Sequence, residues 1–209
     1  MDTSFFLAWI KEAASAVQAE RDHLTQLDAA IGDADHGANL DRGFAAVRQT
    51  LADTPPQTPG GVLVQAGSAL IRKVGGASGP LYGTAFRQMG RALGDAPEIT
   101  PADLVTALEA AQEGVQKLGG AAEGDKTLVD AFAPAVRALA QAVRDGAKLE
   151  DALETATAAA QEGAQATVPL QARKGRASYL GPRSVGHEDP GAASTALIFA
   201  ALRRAAGQA

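Results

Sequence analysis

Eight times along this chain apolar side chains return at intervals of three and four residues, and over no comparable length do they alternate one for one with polar ones. That period puts an apolar stripe on each of eight helices and leaves no half-buried strand to pair. The stripes run through Phe6, Trp9, Ile10, Ala13 and Val17; Leu40, Phe44, Val47 and Leu51; Leu63, Ala66, Leu70 and Val74; and Tyr82, Phe86, Met89 and Leu93. Four more follow at Leu104, Leu108, Ala111, Val115 and Leu118; Leu128, Phe132, Val136, Leu139 and Val143; Leu149, Leu153, Ala156, Ala160 and Ala164; and Thr195, Ile198, Phe199 and Leu202. Only 4% of the residues are aromatic although 46% are hydrophobic, so the core has to be built from alanine, leucine and valine. Such residues suit closely packed helices better than a sheet sandwich. The expected fold is all-α, with eight antiparallel amphipathic helices in an up-down barrel or bundle, formed by a single domain over residues 1–209.

Local signals set the ends of these helices. Thr3 or Ser4 is the expected cap of the first, which should end near His23, itself read as a solvated residue at a helix end. Prolines in T-P-P-Q-T-P-G-G stop the second. Thr100-Pro101-Ala102-Asp103 and Asp189-Pro190-Gly191 each combine a capping side chain with a proline at the first helical position.

In an up-down arrangement the connections after helices one, three, five and seven meet at one end. Each carries a weak ligand signal. The first reads L-D-A-A-I-G-D-A-D-H-G-A-N from Leu27 to Asn39. Neither the step of five residues from Asp28 to Asp33 nor the step of two from Asp33 to Asp35 falls on one helix face, whereas a turn can gather all three. Clustered carboxylates suit a hard divalent cation such as Mg2+, and the free N–H groups of the next helix, near His36, Gly37 and Asn39, suit phosphate. An Asx-turn with Asp35 as an ordinary N-cap gives the same pattern. The second signal, Gly75-Gly76-Ala77-Ser78-Gly79-Pro80, is either an anion-binding nest or a tight connection.

The third, Gly124-Asp125-Lys126-Thr127, nearly spells a P-loop. Asp125 stands where that motif needs lysine, and a helix rather than a strand leads in, so the stretch is read as a helix-start loop. The fourth is the irregular segment from Leu170 to His187, which concentrates Arg173, Lys174, Arg176 and Arg183. It is either a clamp over phosphates or a solvated basic loop. Four such signals on alternate connections point together to a metal-bound polyphosphate site at one end of the bundle.

A net charge of −5 argues against nucleic acid or an anionic membrane as partner, and the absence of cysteine removes disulfides, zinc thiolates and thiol catalysis. No stretch approaches roughly eighteen uninterrupted apolar residues. The N-terminus M-D-T-S-F-F lacks the basic start of a signal peptide, and the expectation is a soluble cytoplasmic protein.

The segments L-D-A-A-I-G-D-A-D-H-G, G-G-A-S-G-P-L-Y-G-T, G-D-K-T and A-R-K-G-R-A-S-Y-L-G-P-R-S-V-G-H-E-D-P-G-A strongly resemble, in order and over essentially the whole chain, the ADP-binding L subunits of phosphoenolpyruvate-dependent dihydroxyacetone kinases and the ATP-binding domains of single-chain dihydroxyacetone kinases. The resemblance implies an eight-helix barrel that holds ADP or ATP through two Mg2+ ions on Asp28, Asp33 and Asp35. It implies nucleotide contacts at His36, Gly37, Ala38, Asn39, Ala77, Ser78, Gly119, Leu128, Arg176, Asp189, Pro190 and Gly191, with Arg176 as the catalytic residue. It further implies a phosphohistidine-carrying phosphotransferase subunit that phosphorylates the bound ADP, and a dihydroxyacetone-binding kinase subunit that receives the phosphoryl group. A homodimer is compatible with this reading. Because phosphoryl transfer needs positioning and charge neutralisation more than a protein nucleophile, no general base is assigned. Three other readings stay open: an ATP-dependent kinase subunit with exchanging nucleotide, a nucleotide-state sensor that binds a regulator, and a phosphorylated carrier using His36 or His187.

Overall fold

In the computed structural model, which describes residues 1–207, the elements are α1 (Thr3–Ala19), α2 (Arg21–Ile31), α3 (His36–Asp53), α4 (Pro59–Lys73), α5 (Ser78–Leu93), α6 (Pro101–Gly119), α7 (Val129–Arg144), α8 (Leu149–Ala166), 3-10 turns over Arg176–Ser184, and α9 (Pro190–Ala206). Caps set many of the boundaries. Asp2, rather than Thr3 or Ser4, caps α1 by accepting from the Phe5 N–H at 3.1 Å. Thr58 and Pro59 start α4, Thr100 and Asp103 form a reciprocal capping box before α6, and Asp189 accepts from Ala192 N–H to start α9.

Eight of the helices close a ring. α1 packs on α3, the neighbours α3 to α9 pack in succession, and α9 returns to α1. The expected eight-helix barrel is therefore present, but the stretch expected as one helix from Phe6 to His23 is two, divided at Glu20. The extra helix, α2, lies across one end of the ring against α3, α9 and the 3-10 turns. It escapes an apolar-period reading because its inward positions are Leu24, Asp28 and Ile31, so a carboxylate occupies the middle of its buried stripe.

Small residues bring the backbones close. A Cβ added to Gly67 of α4 would lie 2.5 Å from the Gly83 carbonyl of α5, and one on Gly83 would lie 2.7 Å from the Gly67 carbonyl, so only glycine permits this approach. Ala131, Ala135, Ala152, Ala156 and Ala160 line the α7/α8 seam with no exposed surface. The few aromatic rings gather in the barrel: Trp9 lies 5.4 Å from Phe86 and 6.1 Å from Phe6, and its indole N–H donates to the Ile198 carbonyl at 3.0 Å, fastening α1 to α9. Among the described residues no helix is long and apolar enough to cross a membrane.

Candidate functional site

The four singled-out connections meet at one end of the ring and enclose a cleft of about 440 Å³. α3, α5, α7 and α9 all begin there, at His36, Ser78, Val129 and Pro190. Four positive helix ends therefore surround the opening, each with N–H groups that the helix itself leaves unpaired.

The acidic corner depends on how α2 ends. Asp28 stands in its last turn, and Gly32 breaks it. Asp28 Oδ2 accepts from the backbone N–H groups of Asp35 at 2.8 Å and His36 at 3.1 Å, so Asp28 caps α3. Asp35 occupies the N-cap position, yet its own side chain makes no capping bond among the described residues. The ordinary Asx-cap explanation of Asp35 is thereby removed. The three aspartates each place a carboxylate oxygen within 4.8 Å of the others.

Backbone geometry serves this arrangement. A Cβ on Gly32 would lie 2.0 Å from Asp28 Oδ1 and would displace that carboxylate, while Ala34, at φ 62, holds the turn between Asp33 and Asp35 in a conformation that side chains disfavour. Asp33 Oδ2 also meets Arg176 Nε at 2.9 Å. An all-oxygen, multiply anionic set with a space that only glycine leaves free fits a hard divalent cation.

Behind the corner runs a polar chain. His36 Nδ1 faces Ser78 Oγ at 3.2 Å and its Nε2 faces Ser194 Oγ at 2.9 Å. Ser194 meets the Tyr82 hydroxyl at 2.7 Å, and Tyr82 donates to the Gly191 carbonyl at 2.9 Å. The aspartate turn, the glycine-rich turn and the start of α9 are thus tied together. Burial lowers the His36 pKa although Asp28 and Asp35 oppose it, and burial pushes the Tyr82 hydroxyl up to about 12. Burial also drives Asp189 up to about 7, with the Ala192 N–H and Lys126 opposing and Asp130 adding to the rise.

Asp28, Asp33, Asp35, His36, Ala77, Ser78, Gly119, Leu128, Arg176, Asp189, Pro190 and Gly191 all stand on the cleft wall. Gly37, Ala38 and Asn39 do not. Gly37 faces α2, where a Cβ would lie 2.0 Å from the Arg21 carbonyl, and Ala38 points to solvent. Asn39 is buried beneath Gly75, accepting from Arg42 Nη2 at 2.6 Å. Helical rotation explains this: one turn into α3, successive residues face in different directions and only the first meets the cleft. Of the basic loop, Lys174 and Arg176 line the cleft and Arg173 and Arg183 do not; Tyr179, 86% exposed, stands at its rim. His187 and His23 are exposed away from the wall.

Lys126 is a wall residue that sequence reasoning passed over. It is 1% exposed, and the three N–H donors of its Nζ are shared among four backbone carbonyls, those of Thr167, Leu170, Ser184 and His187. Burial lowers its pKa and Asp189 opposes that shift. Nothing in the spacing of G-D-K-T shows that the lysine turns inward.

Comparison with known proteins agrees with this geometry. The DAK2 domain family matches residues 30–204. The ADP-binding subunit of the PEP-dependent dihydroxyacetone kinase of Escherichia coli K12 is 41% identical over 198 residues, which span 95% of this chain and 94% of that protein. The ADP-binding subunit of PEP-dependent dihydroxyacetone kinase 1 from Listeria innocua is 42% identical over 201 residues, covering 96% of each. Among solved structures, the dihydroxyacetone kinase of C. freundii in complex with AMP-PNP and Mg2+ superposes with a TM-score of 0.73 at 26% identity; it matches 96% of this chain, which spans only 34% of that longer one.

Proposed function

The chain belongs to the DAK2 domain family, and from that premise we propose that it is the ADP-binding, phosphotransferase subunit of a PEP-dependent dihydroxyacetone kinase. On the nucleotide it holds, it accepts a phosphoryl group from a phosphohistidine partner and passes it to dihydroxyacetone on a second partner subunit. The observation that carries this reading is the meeting of three carboxylates, four helix N-termini and Arg176 around one cleft.

In this reading Asp28, Asp33 and Asp35 hold magnesium, and two ions bring four positive charges against three negative ones, leaving the corner attractive to a diphosphate. When bound, Mg2+ and the nucleotide supply charge neutralisation and the phosphoryl-bearing group. The protein's own part is positioning. N–H groups in the Gly76–Ser78 turn orient the phosphates, while the first N–H groups of α3 and α9 are held by Asp28 and Asp189. His36, fixed between Ser78 and Ser194, keeps the aspartate turn and the glycine-rich turn in register. Arg176, with a side chain 69% exposed at the rim and paired to Asp33, is placed to transfer its contact from that carboxylate to a phosphoryl group approaching from outside.

The test has two parts. Protein purified without added nucleotide is denatured and the supernatant assayed for ADP; a stoichiometric amount is expected, and its absence with free exchange would favour the ATP-dependent kinase instead. The intact protein is then mixed with a phosphohistidine donor, and label should appear on ADP. Acid-labile label on the protein itself would refute the proposal.

A further inference from the structure

Between Leu170 and His187 the chain carries the basic rim residues of the cleft, and its course depends on one buried cation. The Lys126 ammonium donates to the carbonyls of Thr167 at 2.9 Å and Leu170 at 3.0 Å, where the loop begins, and to those of Ser184 at 2.7 Å and His187 at 2.5 Å, where it ends. One group thus draws both ends of the loop to a point. Lys126 reaches that point from a backbone at φ 62, which with Ala34 makes it one of two non-glycine residues at positive φ among the described residues.

The turn that presents Lys126 is itself fixed. Asp130 accepts from the N–H groups of Gly124 at 2.5 Å and Thr127 at 2.7 Å, and the Asp125 carbonyl accepts from Arg173 N–H at 3.0 Å. Inside the pinched loop stand Arg176 and Lys174; directly after it come Asp189 to Gly191 at the start of α9.

Four inward-facing carbonyls around one centre form a cage that an apolar side chain leaves unsatisfied and that a planar guanidinium does not match. We propose that Lys126 is the positioning residue of the nucleotide site: its ammonium, held by the carbonyls of Thr167, Leu170, Ser184 and His187, sets where Arg176 and the Asp189–Gly191 turn stand against the phosphates. This rests on the nucleotide reading above. The lysine touches no reacting atom and acts through the loop.

The experiment uses the whole protein carrying Lys126→Ala. That change removes three carbons and the ammonium, the size of propylammonium, so the cage becomes addressable from solution. Three quantities are read with and without propylammonium chloride: ADP affinity with Mg2+ by calorimetry, Mn2+ binding by electron paramagnetic resonance, and tryptic cleavage at Arg173, Lys174, Arg176 and Arg183. The expected result is unchanged helix content and Mn2+ binding, ADP affinity weaker by about tenfold or more, and faster cleavage within the loop. Propylammonium should reverse the last two, while propanol and equal potassium chloride should not.

ADP affinity within twofold of the parent protein overturns the proposal. So does a loss that propylammonium leaves untouched, because a cage that works through one ammonium must accept it when supplied. If Lys126→Ala does not fold, Lys126→Met keeps the volume without the charge and must show the same selective loss of ADP over Mn2+; equal affinity there is refuting. Should the parent protein bind no Mg·ADP at all, the proposed function fails, and the proteolysis readout, which needs no nucleotide, still decides whether Lys126 orders the loop.

Discussion

Replacing Asp35 by asparagine should make the metal-free protein more stable while abolishing its response to Mg·ADP. Asp35 is the cleanest of the three positions, because Asp28 caps α3 and Asp33 is paired with Arg176, whereas the Asp35 side chain makes no capping bond among the described residues. Its carboxylate has two like-charged neighbours with oxygens within 4.8 Å. At that separation each pair repels by about 0.9 kcal/mol in a water-like dielectric and about 3.5 kcal/mol at an effective constant of 20. Asp33 is open to solvent but Asp28 is only 8% exposed, so the lower figure is a floor, and relieving two pairs returns at least about 1.8 kcal/mol. Against this stands the loss of a negative charge at the N-terminus of α3, about 0.3–1 kcal/mol. Asparagine is as good an N-cap as aspartate, so no capping term enters.

The net expectation is a gain of at least about 1 kcal/mol in EDTA, or at least about 2–4 °C for a chain of this size. With saturating Mg·ADP the order should reverse, since the parent protein gains stability by mass action and the variant has lost a ligand. Thermal unfolding of both proteins in EDTA and in Mg·ADP reads all four values. A variant less stable than the parent in EDTA would refute the charge argument. A variant that keeps the full Mg·ADP gain would refute the assignment of Asp35 as a ligand.

Arg176→Lys should slow phosphoryl transfer by about 100-fold or more while weakening ADP retention far less, because a lysine keeps the charge but loses the fork that suits a transferring phosphoryl group; single-turnover transfer and calorimetry separate the two. Tyr82→Phe should cost about 2–4 kcal/mol in urea unfolding, since the hydroxyl it removes serves Gly191, Ser194 and Thr195 in a buried network, and a loss under 1 kcal/mol would show those groups re-pair without it. Asp189 should give stability an inverted pH dependence. Its folded pKa of about 7 lies above the unfolded value, so its contribution is complete below about pH 4 and is lost as pH rises toward and through 7. Urea midpoints from pH 5 to 8 should fall in the parent protein and lose that component in Asp189→Asn; an unchanged slope in the variant would exclude Asp189 as its source.

The ring was legible because its helices obey rules that act within one element. Apolar spacing marks α3 to α9, and Thr100 and Asp189 with their following prolines mark two of the starts. The cleft was legible through topology, since alternate connections of an up-down ring meet whatever their individual signals are worth. What spacing misread was burial of charge. Asp28 and Lys126 are 8% and 1% exposed, and neither follows an apolar rule, because each is satisfied by backbone: Asp28 by the N–H groups of Asp35 and His36 at the start of the next helix and Lys126 by four carbonyls from 41 to 61 residues further along. Backbone partners carry no residue identity, so no motif records them. A charge fully solvated by main chain is invisible to pattern and becomes visible only as an inward turn in a loop. For that reason apolar spacing runs α2 on from α1 and leaves Lys126 unmarked, although both help to shape the cleft that the legible residues line.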